Sequence, residues 1–133
     1  MTGNGLTTIA STHSVPETLD RLIAAITPLG MNVFARIDHA EGAAKVEMPL
    51  RPTQLLLFGN PKGGTPLMQD KQTAGIDLPL KALAWEDPDG KVWLTYNETA
   101  WIAQRHGLGA ASAAAVTAIA AGLEKVTKAA AAK

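Results

Sequence analysis

The sequence predicts an α+β domain. Three observations carry this. An amphipathic helical pattern lies between two alternating segments near the N-terminus, a continuous apolar run occupies Gln54 to Phe58, and Asp87-Pro88-Asp89-Gly90 separates two strand-like segments. The chain has 133 residues, room for one core, and 47% apolar against 18% charged residues supplies the material for it.

Leu6 to Ser11 alternates weakly and reads as the first strand. A helix from Val15 to about Leu29 follows. Ser14 and Glu17 have capping-box spacing, and Pro16 stands where a first turn tolerates it. Val15, Leu19, Leu22, Ile23, Ile26 and Leu29 share one face, with Glu17, Asp20 and Arg21 turned away. Gly30 suits the end, and Pro28 predicts that the last turn is tight or distorted. Met31 to Asp38 alternates as a second strand, so the three elements read as a βαβ-like unit or as an α+β layer. Asp38 to Glu41 begins a short surface helix or turn.

Gln54 to Phe58 reads as a strand buried on both faces. The Gly/Pro-rich stretch Gly59-Asn60-Pro61-Lys62-Gly63-Gly64 reads as a loop, with Thr65-Pro66 capping a short helix to about Gln72. Leu80 to Glu86 and Lys91 to Asn97 form a hairpin with Gly90 at its positive-φ position. Asn97 is an N-cap for a helix over Glu98 to Arg105, ended by His106 and Gly107. Alanine supplies twelve of the 24 residues from Ala110 to Lys133, which predicts a terminal helix with a seam of Leu108, Val116, Ile119, Leu123 and Val126. Glu124 and Lys128 make a favourable (i, i+4) pair, and Ala129 to Lys133 are expected to fray. The organisation is one domain over residues 1–109 and an Ala-rich helical tail over 110–133.

Twelve basic residues balance twelve acidic ones, which argues against a nucleic-acid binder. Cysteine is absent, which removes disulfides, thiolate catalysis and zinc ribbons. Met1 to Leu6 lacks the pattern of a secretory leader and no apolar stretch reaches bilayer length, so the expectation is a cytoplasmic protein with no membrane partner. His13, His39 and His106 lie far apart without a metal-ligand spacing, so no metal is assigned. No motif names a cofactor.

The chemistry concentrates in two places. Gly59, Asn60, Lys62, Gly63, Gly64 and Thr65 join a buried strand to a helix N-terminus. Amides, dipole and one ammonium make such a place suited to an anion, although Lys62 stands three residues before Thr65 and is not a Walker A lysine. The plainer alternative is a turn whose glycines serve only its geometry. Near the end of the chain, Arg105 and His106 either complement a helix C-terminus or face a ligand, with His106 as the candidate acid/base. Asp77, in an apolar stretch, either bonds its own turn or pairs with a cation among Lys62, Lys81 and Arg105.

Phe58-Gly59-Asn60-Pro61-Lys62-Gly63-Gly64-Thr65-Pro66-Leu67-Met68, then Gly75-Ile76-Asp77-Leu78-Pro79-Leu80-Lys81, Trp85-Glu86-Asp87, Tyr96-Asn97 and Arg105-His106-Gly107-Leu108 together resemble the bacterial and archaeal family called domain of unknown function 302. The likeness covers roughly Thr7 to Leu108 and leaves the tail outside. It implies a compact fold related to the TATA-binding-protein-like β-α-β4-α arrangement, as a homodimer, and no activity, since the family is named for lacking one. A fold shared with a DNA binder does not imply DNA binding. The functional expectation is a homodimeric module for a small anionic ligand held near Gly59–Thr65, with His106 or Asp77 completing the pocket. The alternatives are an enzyme using His106 as acid/base and an interaction protein with no small ligand.

Overall fold

A computed structural model describes residues 4–133; the first three residues of the Met1–Leu6 segment, on which the leader expectation partly rests, lie outside it. Five strands, β1 (Leu6–Ser11), β2 (Asn32–Asp38), β3 (Thr53–Gly59), β4 (Leu80–Glu86) and β5 (Val92–Asn97), form one antiparallel sheet in the order β1-β5-β4-β3-β2. Five helices accompany it: α1 (Val15–Ile26), α2 (His39–Lys45), α3 (Pro61–Asp70), α4 (Thr99–His106) and α5 (Ala113–Ala131). The α+β expectation holds. Of the two readings of the first three elements, the layer is the one observed: β1 and β2 lie at opposite edges, and α1 crosses beneath the strands between them.

The Ser14 hydroxyl accepts the Glu17 N–H at 3.2 Å, as the capping spacing predicts. At the other end Pro28 tightens the chain into a 3₁₀ turn over Thr27–Leu29, so the α-helix stops at Ile26 and Leu29 is left exposed. Val15, Leu19, Leu22 and Ile26 are fully buried against Leu56, Phe58, Ala82, Ala84 and Leu94 of the sheet. Asp20 pairs with Arg36 of β2. Arg21, expected to face solvent alone, instead reaches the end of α5.

Register places Leu56, Ala82 and Tyr96 on the α1 side of the sheet, and Ile37, Leu55, Leu83, Thr95 and Thr8 in a row on the other. β3 is therefore buried on one face and half-covered on the second, because no helix packs its Leu55 and Leu57 to the depth of Leu56 and Phe58. A bulge at Phe34 interrupts the alternation expected of β2 and leaves Val33, Phe34 and Ile37 exposed at the sheet edge. The β4–β5 hairpin turns at Asp87–Lys91 with Gly90 at φ 82°, as predicted. Asn97 remains the last residue of β5 and caps nothing; Glu98 takes the N-cap position of α4, with its own N–H bonded to the Gly5 carbonyl.

The tail is the largest departure from expectation. α5 packs on α1, α3 and α4, and Leu123, Val126 and Ala130 join the core. Ala130 and Ala131 are buried instead of frayed, because Arg21, Thr12 and His13 all bond the last carbonyls of the helix. Of the expected seam, Leu123 and Val126 are buried and Val116 and Ile119 half-buried, while Leu108 lies in the connection between α4 and α5 and is no part of the helix; Glu124 accepts from Lys128 at 2.7 Å.

Candidate functional site

The stretch read as a loop is helical. Asn60 outcompetes Thr65 as a cap: its side-chain oxygen accepts the Lys62 N–H at 2.9 Å, and Pro61 supplies a first residue with no N–H to satisfy. The Gly63 and Gly64 N–H groups donate to the Asn60 carbonyl at 2.8 and 3.1 Å. The amides expected to face an anion are thus engaged within α3. The Asn60 amide nitrogen donates in turn to the Gly30 carbonyl at 3.2 Å, fixing the start of α3 to the turn before β2.

What this stretch offers instead is a wall. Every residue from Gly59 to Thr65 lines a groove of about 710 Å³, large enough for a small ligand. Its opposite side is α5, at Ala115, Ala118, Ile119 and Gly122. Phe34, Leu57, Met68 and Leu78 close much of the remainder. A methyl group on Gly63 would lie 3.8 Å from Ile119, and one on Gly64 would lie 3.5 Å from Leu78, so both glycines keep space open without being sterically obligatory. Lys62 and Thr65 are exposed at the rim, and among the described residues no carboxylate pairs with the Lys62 ammonium.

Asp77, Arg105 and His106 come together as a second constellation. A 3₁₀ segment, Gln72–Asp77, ends on Asp77, whose carboxylate accepts from His106 Nε2 at 2.6 Å and from Arg105 at 3.2 Å. Nδ1 of the His106 ring is 3.1 Å from the Thr73 hydroxyl, which completes a carboxylate–imidazole–hydroxyl line. The ring is 7% exposed and the carboxylate 16%. Arg105 lies over the Trp101 ring, 5.7 Å from its centroid. Lys81 stands nearby with its ammonium on the Pro79 carbonyl at 3.0 Å; burial lowers its pKa, and the Asp77 charge partly offsets that.

The two constellations do not merge. The groove lining reaches Gly75 and Leu78 but includes none of Asp77, Arg105 and His106, so the 3₁₀ segment turns Gly75 to the groove and Thr73 and Asp77 to His106. Sequence reasoning missed Thr73 and the α5 wall. The wall had a signal, since Ala115, Ala118 and Gly122 recur at spacings of three and four and share a helix face. Thr73 had none. Among the described residues, no three His, Asp or Glu side chains gather as a metal site would need.

A single antiparallel sheet packed against α1 on one face and half-covered on the other, with a groove between α3 and α5, defines an α+β domain. The chain matches the family described as "Domain of unknown function DUF302" over residues 7–130 and belongs to it. That match takes in α5, so the tail lies within the family's span and not beyond it. A crystal structure of an uncharacterized conserved protein of this family from Bacillus stearothermophilus superposes with a TM-score of 0.84. It shares 16% identity, over 94% of this chain and 97% of that one, which establishes the shared fold. Two curated proteins named "Fluoride-specific ion channel FluC 1", from Brucella suis and Brucella abortus, are each 56% identical over 125 residues. Those residues are 94% of this chain but 49% and 46% of the relatives, so the chain spans about half the length of the curated relatives it matches.

Proposed function

We propose that the chain is a cytoplasmic, homodimeric module that binds a small ligand in the groove between α3 and α5, with Lys62 receiving an anionic group. The observation that carries this reading is the groove itself, walled by the residues from Gly59 to Thr65 and bearing at its rim the Lys62 ammonium, which pairs with no carboxylate among the described residues. The anion is held by charge at Lys62 and not by the α3 amides, which are occupied. Native mass spectrometry of untagged protein tests it: a dimer carrying an extra mass is expected, with that mass lost in Lys62→Ala. A clean dimer that also fails to bind any added small anion favours an interaction protein instead.

The half-covered sheet face supports the dimer. Ile37, Leu55 and Leu83 form an apolar row there, flanked by Trp85 and Trp93.

The fluoride channel named in the Brucella relatives needs a membrane-spanning part. No helix among the described residues here is long and apolar enough to cross a membrane, and the sheet has two open edges. We infer that the matched half of those relatives is an accessory to conduction. Removing it from a relative should leave fluoride flux through liposomes measurable.

A second reading has its own observation. Asp77, His106 and Thr73 are aligned as an activated hydroxyl requires, with His106 as the base. Under it, His106→Ala abolishes hydrolysis of an activated acetyl ester while leaving ligand mass in the groove unchanged.

A further inference from the structure

We propose that the groove takes an unbranched aliphatic chain ending in an anion, so that the ligand is a medium-chain carboxylate or a compound of that shape. This rests on the reading of the groove as a ligand site and names what fills it.

The chemistry of the wall is divided by position. Phe34, Leu57, Met68, Leu78 and Ile119 present carbon or thioether surface. Between them, Gly63 on α3 approaches Ile119 of α5 and Gly64 approaches Leu78. The α3 amides nearest the groove are tied into the helix, and the Asn60 side chain is engaged at both its oxygen and its nitrogen. A ligand in the interior is therefore offered few hydrogen bonds, and a polar body there would lose its water without replacement. The side-chain polar groups left over are the Lys62 ammonium and the Thr65 hydroxyl, both on exposed positions of α3.

That layout selects among anions. A compact anion such as phosphate satisfies the rim and leaves the apolar interior unfilled. An aliphatic chain with a terminal carboxylate uses both. Along α5 the lining runs from Ala115 to Leu123, and its eight steps at 1.5 Å rise per residue make roughly 12 Å. Such a length suits a chain of medium size. The two methionines in the lining, Met31 and Met68, are unbranched and adapt to a flexible occupant.

The test is calorimetric titration of the intact protein with acetate, hexanoate, octanoate, decanoate and the matched primary alcohols, with inorganic phosphate as the compact anion. Each added methylene should tighten binding about fourfold, the equivalent of ~0.8 kcal/mol, until the groove is full. The alcohols should bind more weakly than the acids, and Lys62→Gln should remove that difference. Gly122→Leu provides the structural control. A Cβ at Gly122 meets nothing within 4 Å, and leucine favours the helix, so this variant folds and fills the groove. It should abolish decanoate binding. Equal affinity for all chain lengths, or decanoate binding unaffected by Gly122→Leu, overturns the aliphatic assignment. Phosphate binding without chain dependence does the same while leaving the anion site standing. Failure of every compound overturns the ligand-site reading as well.

Discussion

The Asp77 carboxylate lies 2.6 Å from His106 Nε2, joining the end of the 3₁₀ segment after α3 to the last turn of α4. Arg105 braces the same carboxylate from outside. Both the Asp77 carboxylate and the His106 ring are largely shielded, so removing either leaves a partner short of its hydrogen bond. Asp77→Ala should cost about 2–3 kcal/mol in urea unfolding, and His106→Ala a similar amount. The double variant should cost less than the sum, because the shared bond is lost only once. Strict additivity in that cycle would mean that the two side chains are not coupled.

Asp70 gives a pH prediction. Its carboxylate accepts from the Gly109 N–H at 2.9 Å and the Ser112 hydroxyl at 2.7 Å, and these bonds, backbone first, hold its pKa below the ordinary carboxylate value. A carboxylate depressed in the folded state contributes stability above its unfolded pKa, near 3.9, and loses it as pH falls through the folded value. The start of α5 should therefore loosen below about pH 4. The protection of the amides following Ser112 against hydrogen exchange, taken relative to the unfolded chain at the same pH, should fall there in the natural sequence. In Asp70→Asn that protection should already be lower at neutral pH and should change less on acidification.

Most of the frame was legible because it is local. Ser14 before an apolar stripe, the Asp87–Gly90 turn and Gly107 after a helix each act within a few residues, and each stands where it was read. The start of α3 lies five residues before the expected one because Asn60 and Thr65 both precede a proline, and sequence does not rank two adequate caps. The fate of the tail was hidden for a different reason. Alanine carries almost no pattern, and what anchors Ala129–Ala132 is Arg21, more than 100 residues away. The candidate residues were found by type, while their division into a groove and a separate Asp77–His106 cluster follows from the direction of one 3₁₀ segment.

Gly5 is held by two constraints at once. Its φ is +81°, and a Cβ there would fall 2.4 Å from the Trp101 ring. Gly5→Ala should destabilise by about 2–4 kcal/mol, combining the left-handed backbone penalty with displacement of a packed indole. Gly90→Ala shares the positive φ but meets no neighbour, and should cost only about 1–2 kcal/mol. Comparing the two by thermal unfolding separates packing from backbone strain.

The half-covered sheet face predicts an assembly phenotype. Leu83 lies at the middle of the row between Leu55 and Thr95. If the proposed dimer forms through this face, Leu83→Arg should shift it to monomer in sedimentation equilibrium, since a charge at the centre of an apolar contact is costly. It should leave the α1 side of the core intact, so far-ultraviolet dichroism should not change. A persistent dimer in this variant would place the contact elsewhere.

Arg21 carries the last prediction. Its guanidinium donates to the carbonyls of Ala129, Ala130 and Ala132, each at 3.0 Å, where the orphan acceptors of a helix end and the negative end of its dipole coincide. His13 and Thr12 add bonds to Ala132 and Ala131, so an alanine run with little surface of its own is held by polar contacts to its backbone. Arg21→Ala should cost about 1–2 kcal/mol and selectively raise hydrogen exchange in the last turn of α5. Arg21→Lys should recover little of this, because an ammonium cannot present the planar fork that reaches several carbonyls together. Because α5 also walls the groove, the same Arg21→Ala variant should weaken ligand binding without touching a single lining residue. Unchanged exchange in the last turn would show that packing of Val126 and Ala130 suffices to hold the helix, and that the arginine is incidental.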